Sequence, residues 1–175
     1  MKRLLTLLSI LVVVFFASCG NDNTMKKIQE LESKMLGNDG MIKNDVGLEL
    51  IDAYVLYAEK NSKDEIAPDY LFKALDISVN LKLNDYSKSI EIADMIVSRY
   101  PDHNLAPMAL YLKGFVYEEL MHSNYNAEKA YNEFLEKYPD NPMVEEVKTS
   151  LKNIGISNLE LIRRFEMMES TTDIR

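Results

Sequence analysis

Two stretches of the chain resemble each other at a fixed spacing, and this spacing constrains the fold more than any other feature of the sequence. The clearer copy occupies residues 106–142 (APMALYLKGFVYEELMHSNYNAEKAYNEFLEKYPDNP), and a weaker copy precedes it at residues 67–104. The turn prolines Pro101 and Pro139 are 38 positions apart. A period of this length, built from helical segments, predicts a solenoid of stacked helix pairs.

Each copy predicts two antiparallel helices. Apolar side chains recur at helical spacing, and each Tyr-Pro turn ends a helix because proline has no amide hydrogen to donate. The short connections at residues 83–85 and 123–124 favour antiparallel neighbours. No segment alternates apolar and polar residues as a strand does, so the sequence predicts an all-α fold. The predicted helices of the two copies are residues 67–82, 85–100, 106–121 and 126–138.

Weaker helix signals flank the two copies. Residues 61–68 correspond to residues 100–107 at an offset of 39 positions. A helix at 48–60 is therefore interpreted as the second half of a degraded first repeat. Asn141 predicts the N-cap of a final helix pair, and Gly155 can adopt the left-handed conformation that ends its first helix.

The segment before the repeats has a shorter helical signal. Ile28, Leu31 and Met35 lie at helical spacing, which predicts either a loosely docked helix at residues 25–36 or part of a linker. The expected domains are a signal peptide at 1–18, a tether with one short helix at 19–47, a repeat domain at 48–169 whose last helix is 156–169, and a frayed tail at 170–175.

The N-terminus has the pattern of a secretory signal. Lys2 and Arg3 precede an apolar run at residues 4–16, which is followed by small residues and then Cys19. This ending resembles the lipobox of bacterial lipoproteins, in which the cysteine is acylated and becomes the first residue. The alternative is an ordinary signal peptide with a chance cysteine.

Acylation of Cys19, the only cysteine, would make the protein membrane-anchored rather than membrane-spanning. The chain has 20 basic and 28 acidic residues, a formal charge of −8, and cleavage after residue 18 would remove Lys2 and Arg3 and make it −10. Nucleic acid is therefore excluded as an expected partner, because its phosphates attract basic surfaces.

The best-preserved copy resembles the tetratricopeptide repeat. Gly114 and Tyr117 fit its first-helix signature, and Ala74 and Ile77 fit it more loosely. The pattern Ala-Pro-x-Ala-Leu-Tyr…Gly-x-x-Tyr…Tyr-Pro-Asp-x-Pro is similar to the variant in bacterial envelope proteins, such as the Tol-Pal-associated periplasmic coordinator and the lipoprotein subunit of the β-barrel assembly machine. The resemblance implies an all-α, tetratricopeptide-type solenoid.

Two features depart from these relatives. Lys73 and Lys113 occupy a helix position that is usually apolar, and only two repeats are well preserved. The residues 25–36 are also too few for the trimerising coiled coil with which the Tol-Pal coordinator begins.

Catalytic patterns are absent from the sequence. His103 lies in a predicted turn and His122 at a predicted helix end, and neither has a His or Cys at ligand spacing. Gly-rich phosphate loops and nucleophile elbows are missing as well. We therefore expect no enzyme activity, cofactor, metal or small-molecule substrate.

The helix at 106–121 is apolar on more than one face, which is typical of a helix that is either fully buried or exposed to a partner. In tetratricopeptide solenoids the first helix of each pair lines the concave surface. The resemblance therefore implies partner-binding roles for Met108, Tyr111, Phe115 and Glu119, with Leu71, Leu75 and Val79 as the matching upstream positions. The alternative is that the apolar members of this set fill the core.

The expected function is that of a non-catalytic, membrane-anchored adaptor that binds other proteins of the cell envelope. The expected location is the bacterial outer membrane, with the protein attached by acyl chains on Cys19 and facing the periplasm. An accessory subunit of the β-barrel assembly machinery is the alternative, and an envelope hydrolase is a third. The sequence leaves open which membrane and which side the protein occupies.

Overall fold

The regular secondary structure of the described residues is almost entirely helical. The computed structural model describes residues 19–37, 40–81, 83, 85–156, 160 and 162–163. Their elements are α1 (Cys19–Lys34), α2 (Asn44–Lys60), α3 (Ala67–Asn80), α4 (Ser87–Arg99), α5 (Ala106–Phe115), a π-helical segment (Val116–Leu120), α6 (Asn124–Lys137) and α7 (Val144–Asn153). Within these residues, the β-type pairing is one isolated bridge between Leu36 and Ile42. The predicted all-α fold is confirmed.

Some predictions lie outside the described residues. They concern the signal peptide at 1–18, the tail at 170–175 and nearly all of the helix expected at 156–169. Within the described part, no helix combines the length and the apolar character that crossing a bilayer requires.

The described residues divide into two compact units, with the boundary between positions 84 and 85. Unit 1 contains α1 to α3, and unit 2 contains α4 to α7. The predicted pairing of the helices at 67–82 and 85–100 stays a prediction, because α3 belongs to unit 1 and α4 to unit 2.

In unit 1, α2 packs against both α1 and α3. Apolar side chains from all three helices form the core of this unit because they recur on one face of each helix. The largest side chains there without exposed surface are Ile28, Leu50, Leu71 and Leu75.

The helix α1 differs from the predicted tether. It begins at Cys19 rather than near residue 25, and it is packed rather than loosely docked. Ile28 has no exposed surface and Leu31 is 9% exposed. The sequence pattern was too short to show this packing, because only two turns of α1 carry apolar residues toward α2.

A cluster of tyrosines joins the three helices of unit 1. The rings of Tyr54 and Tyr70 stack with centroids 5.1 Å apart, and Tyr57 meets Tyr70 edge-on at 4.9 Å. The Tyr54 hydroxyl donates to Glu32 over 2.6 Å, and the ammonium group of Lys73 bonds the same carboxylate at 3.0 Å. Burial acts to raise the pKa of Glu32, but these two hydrogen bonds outweigh it and the pKa is lowered.

In unit 2, α5 packs against both α4 and α6, and α6 packs against α7. Atoms of Lys113 and Glu133, and of Glu118 and Tyr131, meet across α5, the π segment and α6, so the two helices are antiparallel as predicted. The largest side chains without exposed surface include Ile92, Ile96, Leu110, Val116, Phe134 and Val147.

One turn recurs three times between consecutive helices. The side chains of Asp64, His103 and Asn141 each accept a hydrogen bond from the backbone N–H two residues later, at 3.2, 3.4 and 3.0 Å. The backbone N–H of each also donates to the carbonyl three residues earlier. The same bonds in the first turn show that residues 61–68 adopt the turn of residues 100–107. The assignment of α2 as the second helix of a degraded first repeat stays a prediction.

The predicted ends of α7 agree with the structure to within two residues. Asn141 bonds the backbone N–H of Met143, and the helix begins at Val144. After the helix, Gly155 has a φ of 73°, the left-handed conformation that the sequence predicted for it.

Candidate partner-binding face

The helix α5 begins at a position that favours helix formation. Pro107 lies in its first turn, where the missing N–H costs nothing because no carbonyl is available to it. The helix then continues into the π segment, where the N–H of Met121 donates to the carbonyl of Val116, five residues earlier, over 2.9 Å. The helix predicted at 106–121 is therefore α-helical only to Phe115. Short π segments of this kind often occur at functional sites.

The helix buries one face completely. Its residues without exposed surface are Ala106, Ala109 and Leu110, followed by Val116 in the π segment. This face packs against the neighbouring helices of unit 2, so these side chains belong to the core.

A second face is partly exposed. Met108, Tyr111, Phe115 and Glu119, which we call the α5 row, are spaced three or four residues apart and so lie along one side of the helix. Met108 is 37% exposed, and Glu119 is exposed in the π segment. Tyr111 and Phe115 are half-buried. Among the residues that the structure describes, α5 therefore keeps a mostly apolar strip that is partly exposed.

Tyr111 in the α5 row contacts residues of two neighbouring helices. Its ring centroid lies 5.8 Å from that of Tyr131 in α6. Burial raises the pKa of its hydroxyl, and interactions with Ser150 and Glu146 place that hydroxyl beside α7. Tyr111 thus joins three helices, and its side chain contributes to packing as well as to the exposed strip.

Tyr131 and Glu118 form a polar contact beneath the same helix. The Tyr131 hydroxyl donates to Oε2 of Glu118 over 2.9 Å, and Tyr131 is 1% exposed. Burial raises the pKa of both side chains; for Glu118 the bond from Tyr131 works against this increase and the charge of Glu119 adds to it. Helical spacing does not predict this pair, because Glu118 and Tyr131 are 13 residues apart and lie in different elements.

Two predicted site residues belong to the core instead. Leu71 and Leu75 have no exposed surface, so neither can contact a partner in this conformation. The prediction had matched Leu71 to Tyr111 at a spacing of 40 residues. The turns at Asp64 and His103 are 39 residues apart. At that spacing Leu71 corresponds to Leu110, which is also fully buried, and the half-buried Phe72 corresponds to Tyr111.

The two unusual lysines form ion pairs between helices. Lys113 lies 2.6 Å from Asp94 in α4 and 3.8 Å from Glu133 in α6, and its side chain is only 15% exposed. Lys73 in unit 1 pairs with Glu32. A lysine at an apolar helix position was the signal in the sequence, but its carboxylate partners lie on other helices and could not be identified from spacing alone.

The two histidines are not brought together with other metal ligands. His103 bonds the backbone of its own turn, and His122 is exposed with a φ of 51°. In the part of the chain that the structure describes, no three His, Cys, Asp or Glu side chains are grouped as a metal site.

The comparison with known families gives a specific result for the region just described. Residues 108–141 match the family model of the tetratricopeptide repeat. The chain contains a tetratricopeptide repeat. No curated protein and no solved structure matches the chain. The matched repeat begins at Met108 and runs through the π segment and α6 to the third turn, so it includes the whole α5 row.

The tetratricopeptide repeat confirms the predicted fold class, an all-α tetratricopeptide-type solenoid. Repeats of this family typically bind protein partners and in general act as non-catalytic scaffolds. The match therefore supports protein–protein interaction as the general role of this chain.

Proposed function

We propose that this protein is a lipid-anchored, non-catalytic adaptor of the bacterial cell envelope that binds a protein partner through the α5 row. The observation that carries the proposal is the location of this row inside the matched tetratricopeptide repeat. Met108 and Phe115 present apolar surface there, and Glu119 adds a charge at one end. An apolar strip with a polar end suits a helix or an extended peptide as the partner.

The sequence around Cys19 supports the envelope location. A basic start, a short apolar run and a single cysteine after small residues are typical of a lipoprotein signal. We therefore propose acylation of Cys19, attachment to the outer membrane and a periplasm-facing repeat domain. A coordinating role of the Tol-Pal type is the preferred assignment, because the pattern of the best repeat resembles that family.

Partner binding is best tested with substitutions that leave the packing of α5 intact. Tyr111 is unsuitable because it packs on Tyr131. Met108→Ala combined with Phe115→Ala should remove the partner from a crosslinked pull-down out of native membranes, with helical content unchanged by circular dichroism. Tyr125→Ala is the matched control, because Tyr125 is a 77% exposed aromatic residue of unit 2 outside the row. Retention of the partner by the folded double variant would disprove the role of the row.

The identity of the captured protein distinguishes the two candidate roles. Capture of Tol-Pal or peptidoglycan-associated components fits the preferred role, and capture of an outer-membrane barrel protein supports the assembly-machinery alternative. Anchoring is tested separately with Cys19→Ala, which should abolish fatty-acid labelling and release the protein from the membrane fraction. Unchanged labelling and fractionation would refute the lipoprotein assignment.

A further inference from the structure

The folded part of unit 1 begins very close to Cys19. Thr24 is already 9% exposed, and the hydroxyl of Tyr70 in α3 lies 3.6 Å from the sulfur of Met25. Thr24 is five positions after Cys19, a distance of about 8 Å in a helix and about 18 Å at full extension. An acyl chain on Cys19 would therefore hold unit 1 directly against the lipid headgroups, without a flexible tether.

An open recess lies on this end of unit 1. It has a volume of about 430 Å³ and is formed by the first turns of α1 and the second half of α2. Along α1, the distance from Cys19 is about 6 Å to Asn23 and about 12 Å to Lys27. The residues lining the recess are Asn23, Thr24, Lys27, Asp52, Ala53, Leu56 and Lys60.

The lining of the recess combines both signs of charge with apolar surface. Lys27 and Lys60 supply ammonium groups, and Asp52 supplies a carboxylate. Lys27 also pairs with Glu49 at 3.7 Å, but both side chains are more than half exposed, so this pair is weak. Leu56 is 41% exposed, which suits the boundary between headgroups and acyl chains.

The charges that line the recess favour one class of phospholipid headgroup over another. A zwitterionic phospholipid headgroup carries a phosphate and an ammonium group, which match the two lysines and Asp52. A purely anionic headgroup would meet the carboxylate and the negative charge of the chain as a whole.

We propose that the recess between α1 and α2 faces the membrane and binds the headgroup of a zwitterionic phospholipid, with Lys27 and Lys60 on the phosphate and Asp52 on the ammonium group. The proposal rests on the lipid anchor proposed above. It adds that the anchored end of the protein has a fixed contact with the membrane, independent of the α5 row.

The test compares two exposed leucines of the same helix. Leu56 or Leu48 is replaced by photoreactive benzoyl-phenylalanine in the acylated, full-length protein, which is then reconstituted with phosphatidylethanolamine and phosphatidylglycerol. Leu48 is the matched control because it is 48% exposed and lies about 12 Å further along α2. The label at 56 should crosslink to phosphatidylethanolamine, and the label at 48 should not.

Charge reversal then tests the headgroup contacts. Lys27→Glu with Lys60→Glu should lower the lipid crosslink at 56 by about tenfold. Lys43→Glu with Lys152→Glu changes the net charge equally, at exposed lysines outside the recess, and should leave the crosslink unchanged. Equal crosslinking at 48 and 56, preference for phosphatidylglycerol, or no effect of the Lys27 and Lys60 changes would overturn the proposal.

Mass analysis of Cys19 separates this result from the anchor itself. An acylated protein that forms no lipid crosslinks at position 56 would disprove the headgroup site but not the proposed anchor. Absence of acylation would refute the anchor and, with it, this site. Neither result bears on partner capture by the α5 row, which is measured independently.

Discussion

Gly114 lies so close to the ring of Tyr131 that a side chain at position 114 would overlap with the ring. A Cβ built on Gly114 would lie 2.5 Å from Cδ1 and 2.9 Å from Cζ of the Tyr131 ring, with Cε1 closer still. The ring cannot move aside easily, because Tyr131 is 1% exposed and its hydroxyl is bonded to Glu118. This contact sets how closely α5 approaches α6.

Gly114→Ala should therefore destabilise the protein. Overpacking against a fixed ring costs about 1–3 kcal/mol, which exceeds the gain of about 1 kcal/mol from better helix propensity. Gly47→Ala is the control, since a Cβ at Gly47 in α2 would meet methyl groups of Ile42 and Leu81 at 3.0 Å or more, a looser contact than the one with the Tyr131 ring. In urea denaturation, the free energy of unfolding should fall clearly for Gly114→Ala and change less for Gly47→Ala. Equal effects would contradict the close-approach argument.

Lys113 should contribute more to stability than an ordinary surface lysine. Exposed ion pairs contribute about 0–1 kcal/mol and breaking a buried one costs about 3–5 kcal/mol, so Lys113→Met should cost about 1–2 kcal/mol at its partly buried site. Lys148→Met removes the exposed pair with Glu145 and should have little effect. Thermal unfolding at low and high salt checks this, and a Lys113→Met protein as stable as the wild type would contradict the prediction.

The repeat architecture was predictable because its signals are local. Each Tyr-Pro turn stops a helix within one or two residues, and Gly155 terminates α7 by a backbone conformation that favours glycine. The first turn lacks the Tyr-Pro pair, yet Asp64 in it forms the same bond as Asn141 in the last. The same turn geometry therefore forms with Asp or Asn at this position and without the Tyr-Pro pair.

The errors concern contacts between helices, which no local pattern specifies. The α1 segment carries few apolar residues, and its docking depends on Ile28 and on a bond from Tyr54 to Glu32 across 22 residues of sequence. The assignment of Leu71 and Leu75 failed by a shift of one residue. On a helix, one residue is a rotation of about 100°, which exchanges an exposed position for a buried one.

The three repeated turns should respond to alanine in a fixed order. Asp64 accepts hydrogen bonds from both the Ile66 N–H and the Tyr57 hydroxyl, so Asp64→Ala should destabilise the protein more than the other two substitutions. Asn141→Ala removes one hydrogen bond of 3.0 Å and should lower the free energy of unfolding by about 0.5–1 kcal/mol. His103→Ala removes a longer hydrogen bond of 3.4 Å and should lower it by less. His103→Asn should match or exceed the wild type in urea denaturation. A larger loss for His103→Ala than for Asn141→Ala would give the histidine some role other than closing the turn.

The pair of Glu118 and Tyr131 should make stability depend on pH in an unusual direction. Because burial raises the pKa of Glu118 above its ordinary value of 4.5, the folded state binds this proton more tightly than the unfolded state. Its contribution to stability is therefore complete below pH 4.5 and is lost as pH rises through the folded pKa. Glu118→Gln, whose amide oxygen can still accept the Tyr131 hydroxyl, should then be more stable than the wild type at neutral pH.

The difference between Glu118→Gln and the wild type should shrink as pH falls from neutral toward 4.5, because the folded wild type takes up this proton at a higher pH than the unfolded chain. Urea denaturation across this range measures that difference directly, since other titrating groups cancel between the two proteins. Tyr131→Phe removes the hydrogen bond that lowers the pKa of Glu118, so it should move the transition to higher pH. A constant difference between Glu118→Gln and the wild type at all pH values would mean that burial does not perturb this carboxyl.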